Sequence, residues 1–411
     1  MAKKNINLES YERYIPKNEL DTIRVLAEKL GPAKIQQVNS TRMGGGVAEI
    51  LHHLIPLMED LDLTVKWDVI EGTPEFYNVT KKFHNALHGT HVDFDREELE
   101  LFDEINEQNQ DVVREDYDIH VIHDPQPVGL IDSRDKSDGN WVWRCHIDLS
   151  EADNRVWGFL RKWVEKYDHA IFHLPDYAKD LLIKQILIPP AINPFSDKNR
   201  ELQKKTINGV LERFNIDPEL PIVLQVSRFD RLKDPVGVIQ SYKMVKPYLN
   251  CQLILAGGAA SDDPEGAQVL REVEEEAEGV PDVHILNLPP DSNLEINALQ
   301  RAASVVLQKS LREGFGLTVT EAMWKNKPVI GGNVGGIRRQ IVHRRNGMLV
   351  QSIEGTALRI REILTDSALA ERMGNNARKY VQGNFLLPHY LKNWLLVYHS
   401  MKNGQDMMVR M

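Results

Sequence analysis

One stretch constrains the fold of this chain more than any other: Glu313-Gly-Phe-Gly-Leu-Thr-Val-Thr-Glu321. The run before it, Ser304 to Gln308, is apolar and β-branched, and Leu317 to Trp324 reads as the opening turns of a helix, so two glycines mark a strand-to-helix junction. The first N–H groups of a helix have no intrahelical acceptor, and the helix dipole adds partial positive charge, so such a junction accepts anions. Gly314 and Gly316 let a phosphate or sugar approach the backbone, which makes Phe315, Gly316, Leu317 and Thr318 the candidate cradle. Glu313 in the loop and Glu321 one turn into the helix then frame an elongated, phosphate-centred ligand through its hydroxyls. Taken alone, the stretch also fits an ordinary connection with a polar first turn.

Strand and helix patterns alternate on both sides of this junction. Ile35 to Ser40 reads as a strand, followed by Met43-Gly44-Gly45-Gly46 and an amphipathic helix from Val47 to Leu57. Three glycines at a strand's carboxyl end suit ligand binding in an open α/β sheet. A dinucleotide fingerprint is absent, since Glu49 stands where its last glycine would fall. Strands follow at Leu63 to Ile70, Tyr117 to His123, Trp141 to His146 and His169 to His173, and helices at Glu75 to Leu87, Asp93 to Gln110 and Val156 to Tyr167. The repeat predicts an α/β fold with a mostly parallel sheet. Asp124 ends one strand, where it fits a site role or a structural one, and His84 beside a buried stripe reads on pattern alone as structural.

At 411 residues, two domains are expected. Ile186 to Pro194 carries three prolines and reads as an extended linker, so the boundaries are set at 1–193, 194–385 and a C-terminal helix, 386–411. The second part repeats the pattern, with strands at Ile222 to Ser227, Leu253 to Ala256 and Val283 to Leu288. The first of these runs into the basic cluster of Arg228 and Lys233, a candidate phosphate site, with Arg231 exposed between them. Glycines at 331–332, 335–336 and 347 fit a second doubly wound sheet.

Net charge of −10 argues against nucleic acid or an anionic membrane as partner, so any phosphate site is a local basic pocket. Cys145 and Cys251 lie far apart without metal or CxxC spacing and read as buried free thiols. Asp60-Leu-Asp62 and Asp116-Tyr-Asp118 match an Asp-x-Asp metal pattern but precede or enter strand cores and read as structural, so no metal or other cofactor is expected. The first residues lack a signal-peptide core and no apolar run approaches a membrane span, which leads to a cytoplasmic expectation.

The pattern E-G-F-G-L-x-x-x-E resembles the paired-glutamate motif of retaining glycosyltransferases of family 4. The segments VNSTRMGGGVAEILHHL, EFYNVTKKFHNALHG, WRCHIDLS and EGFGLTVTEAMWKNKPVIGG resemble the trehalose glycosyltransferring synthases within it. The resemblance implies a GT-B fold of two Rossmann-like doubly wound domains facing a central cleft, with the first on the acceptor side, the second on the nucleotide-sugar side, and the last helix packed back on the first. It places Glu313 on the donor sugar, Glu321 on the ribose hydroxyls, and Arg228 and Lys233, in the family's Arg-x4-Lys spacing, on the leaving diphosphate. It also puts His146 against the donor sugar, Asn287 and Leu288 near the base, Gly45 and Gly46 at the diphosphate and acceptor, and Asn39, His84, Asn85 and Asp124 on the acceptor. The implied activity moves glucose between UDP or ADP and free glucose, forming or cleaving α,α-trehalose with retention, with small-molecule partners only and a homodimer left open. The other readings are a trehalose phosphorylase, a family 4 enzyme with another small polar acceptor, and a noncatalytic sugar-nucleotide sensor, against which intact Glu313, Arg228 and Lys233 speak.

Overall fold

A computed structural model describes residues 6–43, 45–258 and 264–403. The chain divides into two compact units. One comprises the described residues through Pro190 together with the last helix, and the other runs from Ala191 to Leu386.

The first unit holds β1 (Lys34–Asn39), β2 (Thr64–Val69), β3 (Ile119–His123), β4 (Asn140–Arg144), β5 (His169–Phe172) and β6 (Lys184–Leu187), in the order β2-β1-β3-β4-β5-β6 with every pairing parallel. Its central strands are buried along almost their whole length because helices cover both faces, which is why they read as apolar runs without clean alternation. Ile186 and Leu187, expected in the linker, instead close this sheet as the end of β6, paired with Ile171 and Phe172. The prolines that suggested a linker begin only at Pro189, beyond the last ladder position.

Local chemistry sets the helix ends. Thr73 accepts from Phe76 N, and Pro74 opens the helix Pro74–Leu87, whose Phe76, Val79, Phe83 and Leu87 are all buried. The acidic helix is shorter than its charge pattern, Arg96–Gln108, because Asp95 and Glu98 form a capping box. Its Phe102 and Ile105 are buried, while Leu99 packs at the core's edge. The last helix, Leu387–Asn403, buries Tyr390, Trp394, Leu395 and Tyr398 and is bound to the helix Lys17–Leu30. His399 Nε2 donates to Leu26 O at 2.6 Å, and Lys402 Nζ to Leu30 O at 2.7 Å, the second reaching a carbonyl at the helix end that no further turn can satisfy.

The second unit holds β7 (Ile222–Val226), β8 (Gln252–Gly257), β9 (Val283–Asn287), β10 (Val305–Gln308), β11 (Val329–Gly332) and β12 (Met348–Val350), in the order β12-β11-β10-β7-β8-β9 and again all parallel. In each unit the chain builds outward on one side of its first strand and then crosses back to the other. The topological switch points are therefore β1/β3 and β7/β10, and ligands of open α/β sheets bind at the carboxyl ends of such strands. Cys145 and Cys251 are both free and buried.

The strand ends of the second sheet pack so closely that only glycine fits. A Cβ on Gly257 would lie 1.7 Å from Ser227 O, and one on Gly332 would lie 2.4 Å from Ser310 O. Gly257→Ala is therefore expected to destabilise the second unit by about 3 kcal/mol or more, the upper range for overpacking, because the obstacle is backbone. Urea unfolding of the full chain would show this as a lower midpoint for the transition of that unit.

Candidate active site

The switch point of the second sheet brings one predicted cation, Lys233, onto one predicted carboxylate, Glu313. Lys233, in the short turn after β7, donates its Nζ to Glu313 Oε2 at 2.7 Å. The same oxygen accepts from Gln308 Nε2 at 3.2 Å and Ser310 Oγ at 3.1 Å, both from the end of β10. The two strand ends are locked to each other. Leu311 N donates to Leu232 O at 2.8 Å, Gln225 Nε2 to Lys233 O at 2.8 Å, and Lys309 pairs with Asp234. Asp234 adopts a left-handed conformation (φ 53°) and caps the helix Pro235–Val245 by accepting from Gly237 N. Arg228 lies at the same strand end with about half its side-chain surface exposed, 3.7 Å from Asp230. Arg231 is exposed and pairs with Glu272, away from Glu313.

The glycine loop takes the shape the anion argument requires. Gly316 is left-handed (φ 86°) at the N-cap of the helix Leu317–Trp324, and it supplies no side-chain cap, so the first N–H groups of that helix stay open to a ligand. Gln340 holds the loop by donating to Phe315 O at 2.6 Å while accepting from Thr320 Oγ1. Gly336 N donates to Glu313 O, and a Cβ on Gly336 would meet Phe315 Cα at 2.3 Å, so the loop after β11 lies directly on the cradle. Phe315 is buried against Phe385, whereas Gly316, Leu317 and Thr318 are half-buried and accessible. Asn287 is exposed at the end of β9, and Leu288 N bonds Gly257 O at 2.7 Å.

Glu321 is buried against partners that no spacing in its own segment announces. Lys198 Nζ lies 3.2 Å from its carboxylate, and Gln300 Nε2 reaches it at 3.5 Å. Lys325 stitches the segment below, donating to Asn199 Oδ1, Gln300 Oε1 and Glu321 O. Ser310 and Gln308 could have been found by asking what ends the strand before Glu313. Lys198 carries no motif and is brought in only by the tertiary fold.

In the first unit, the loop after β1 and the ends of β3 and β4 meet at the other switch point. Asp124 is left-handed (φ 65°), and its Oδ1 accepts from His146 N at 2.7 Å. Trp143 Nε1 donates to Asp124 O and Asp124 N to Arg144 O. Burial pushes the Asp124 carboxyl up to about 7, against the opposing effects of the His146 N–H and Arg144. Burial, and then the Arg144 guanidinium and the neighbouring histidines, hold His146 well below the usual imidazole range. His84 and Asn85 are half-buried in the last turn of their helix, which is tied to the loop after β4 by Asp153 N donating to Ala86 O. Gly45 and Gly46, expected in a flexible loop, instead open the helix Gly45–Glu59, and Gly44 lies outside the described residues. The helix starts early because the next residues, Val47 to Leu57, bury one face. Asn39 is buried with both amide atoms engaged, accepting from Trp67 Nε1 and donating to Thr41 O, so its side chain shapes the loop.

The Asp-x-Asp pairs hold backbone and surface charges. Asp60 accepts from Leu8 N and Asp118 from Lys34 N, while Asp116 pairs with Lys34 Nζ. Among the described residues, no group of three or more His, Cys, Asp and Glu is arranged so that it could hold a metal ion.

Two parallel six-stranded sheets of this order are those of the GT-B glycosyltransferases, whose family model and solved structures the chain matches. Residues 210–380 match the family described as glycosyl transferases group 1, and residues 37–179 match the N-terminal domain of trehalose synthase. A UDP-forming α,α-trehalose-phosphate synthase from Burkholderia xenovorans, solved with glucose-6-phosphate, shares the fold with a TM-score of 0.74 at 13% identity, covering 89% of this chain and 100% of that one. The trehalose synthase of Thermococcus litoralis is 45% identical over 403 residues, 96% of this chain and 97% of its own. A trehalose phosphorylase from Pleurotus pulmonarius is 26% identical, with 91% of this chain matching 58% of that protein. The chain belongs to the trehalose synthase family.

Asp124 sets a pH dependence whose sign is opposite to that of a paired carboxylate. Between about pH 4, where an unfolded aspartate titrates, and about pH 7, the folded chain holds a proton that the unfolded chain has released. Stability from this group therefore falls as pH rises through that window. Asp124→Asn keeps the Oδ1 acceptor and is expected to gain stability over the native chain at pH 8 but not at pH 4, as read from urea unfolding at the two pH values.

Proposed function

We propose that this enzyme moves a glucosyl unit between a nucleoside diphosphate, UDP or ADP, and free glucose, making or cleaving α,α-trehalose with retention at the anomeric carbon. The observation that carries the reading is the Lys233–Glu313 pair at the β7/β10 switch point, beside an uncapped helix N-terminus. The second unit takes the nucleotide sugar. The open N–H groups of the helix Leu317–Trp324 receive phosphate oxygens, Glu321 the ribose hydroxyls and Glu313 the sugar. Departure of the diphosphate builds negative charge, and the Arg228 guanidinium and Lys233 ammonium stabilise it as it develops. Two cations and a helix terminus supply that stabilisation from the protein, so the reaction proceeds without a metal ion. The first unit takes the acceptor, with His84, Asn85 and Asp124 offering polar atoms to a small hydroxylated ligand. None of the described helices is long and apolar enough to cross a membrane. The reading carries a cytoplasmic location and a small sugar acceptor, with a homodimer as an allowed assembly.

Incubation with trehalose plus each nucleoside diphosphate, or plus inorganic phosphate, tests the reading through the sugar product. NDP-glucose and glucose support it. Glucose 1-phosphate would establish a phosphorylase, and failure to use glucose as acceptor in the reverse direction would overturn the trehalose reading. Arg228→Ala and Lys233→Ala are each expected to lower kcat by roughly tenfold to a thousandfold, the loss seen on removing one charge-stabilising donor. Activity is expected to survive EDTA, and steady-state assays of the variants with and without chelator check both points.

A further inference from the structure

The first unit contains a continuous line of hydrogen bonds whose links the glucosyl-transfer reading does not use; the role inferred for it depends on that reading only in its kinetic consequence. Tyr398, from the last helix, lies 3.2 Å from Gln37 Nε2 on β1. Gln37 Oε1 lies 2.7 Å from His123 Nε2 at the end of β3. His123 Nδ1 lies 3.0 Å from His146 Nε2, just past β4, and His146 Nδ1 lies 3.2 Å from His173 Nε2, just past β5. Parallel neighbours β1, β3, β4 and β5 thus each contribute one link. The rings of His123 and His146 lie 23° from parallel with centroids 5.3 Å apart, and His173 meets His146 edge-on at 75°.

The proton order is set by the acceptor at the closed end. Gln37 Oε1 can only accept, so His123 carries its hydrogen on Nε2 and presents a bare Nδ1. That nitrogen accepts from His146 Nε2–H, which leaves His146 Nδ1 bare to accept from His173 Nε2–H. A second proton on His146 would set N–H against N–H at His173, so charging the middle ring breaks a link. The charged and titratable groups around the line are Arg144 on β4, Asp124 after β3, Tyr177 after β5, and Tyr390 and Tyr398 on the last helix. Arg144 is fully buried, donating to Phe172 O and Ile188 O, and it further opposes a cation on His123 or His146.

We infer that His123 and His173 are positioning residues for the transfer reaction, which hold His146 as a neutral Nε2–H ring with both nitrogens occupied by protein. His146 then neither gives nor takes a proton in the transfer reaction. A ring that would otherwise titrate near neutral pH is removed from acid–base chemistry by burial, by the Arg144 guanidinium and by the two histidines that occupy its nitrogens.

Long-range 1H–15N spectra of the full-length protein with labelled histidine test this without any substrate. The expected result is the Nε2–H pattern for His123 and His146, unchanged from pH 5 to 9. A His146 that titrates in that range, or that carries its hydrogen on Nδ1, would overturn the inference. In the kinetic arm, His173→Phe removes the donor to His146 Nδ1 and is expected to lower kcat by roughly tenfold to a hundredfold, the cost of misplacing a group at a reacting centre. It should also introduce an acid limb in the kcat profile, with the KM for the nucleotide sugar little changed, while His173→Gln keeps an N–H donor and restores the flat profile. Native kcat and a flat profile in His173→Phe would also sink the idea. Should that variant fail to fold, the spectra of the native protein decide alone, and they do so whatever sugar the enzyme proves to transfer.

Discussion

The second unit depends on a carboxylate held where carboxylates are costly. Glu313 is buried, and removing one ion from water inside a protein carries a penalty of several kcal/mol unless its lone pairs are met. Lys233, Gln308 and Ser310 meet them at a single oxygen, and all three come from strand ends on either side of the switch point. Glu313 can therefore sit in the loop only if β7 and β10 are neighbours and in register, which they are, with Val305 opposite Val223. The close glycine contacts at Gly257 and Gly332 serve the same end, because they let adjacent strand ends approach within backbone contact. Site and sheet order are two descriptions of one constraint.

Glu321 solves a similar problem differently. It lies on a helix face turned inward, and its counter-charge comes from Lys198, in a segment with no regular structure. The two carboxylates of one motif thus draw their cations from separate parts of the unit, Lys233 after β7 and Lys198 before its first helix. In the proposed reaction, a nucleotide that brings its own negative charge competes for Lys233 and so changes what Glu313 is bonded to.

The elements that sequence patterns revealed were those governed by local chemistry. The helix Leu317–Trp324 and the strands around it are bounded by glycines and apolar runs, and Thr73, Pro74 and the stripe from Phe76 to Leu87 announce their helix outright. Less legible were features decided by packing. Ile186 and Leu187 looked like the start of a linker because the proline cluster masked a short edge strand, and Gly45 and Gly46 looked like loop because glycine disfavours helix until a buried face downstream draws it in. At the site, Glu313, Lys233 and Arg228 were readable from spacing. Lys198 and the partners of His146 were not, since each is brought in only by the tertiary fold, which is not written in any one segment.

The first unit is interrupted in sequence: the chain leaves it at Pro190 and returns only with the helix that begins at Leu387. The departing and returning segments run side by side, with Ile192 N bonded to Phe385 O at 2.9 Å. During synthesis the six strands of the first sheet therefore emerge long before the helix that supplies Tyr398, His399 and Lys402. While a ribosome makes the whole of the second unit, Gln37 lacks its tyrosine and the carbonyls of Leu26 and Leu30 lack their side-chain donors. The nascent first unit thus stays without its closing helix until the second unit has been made.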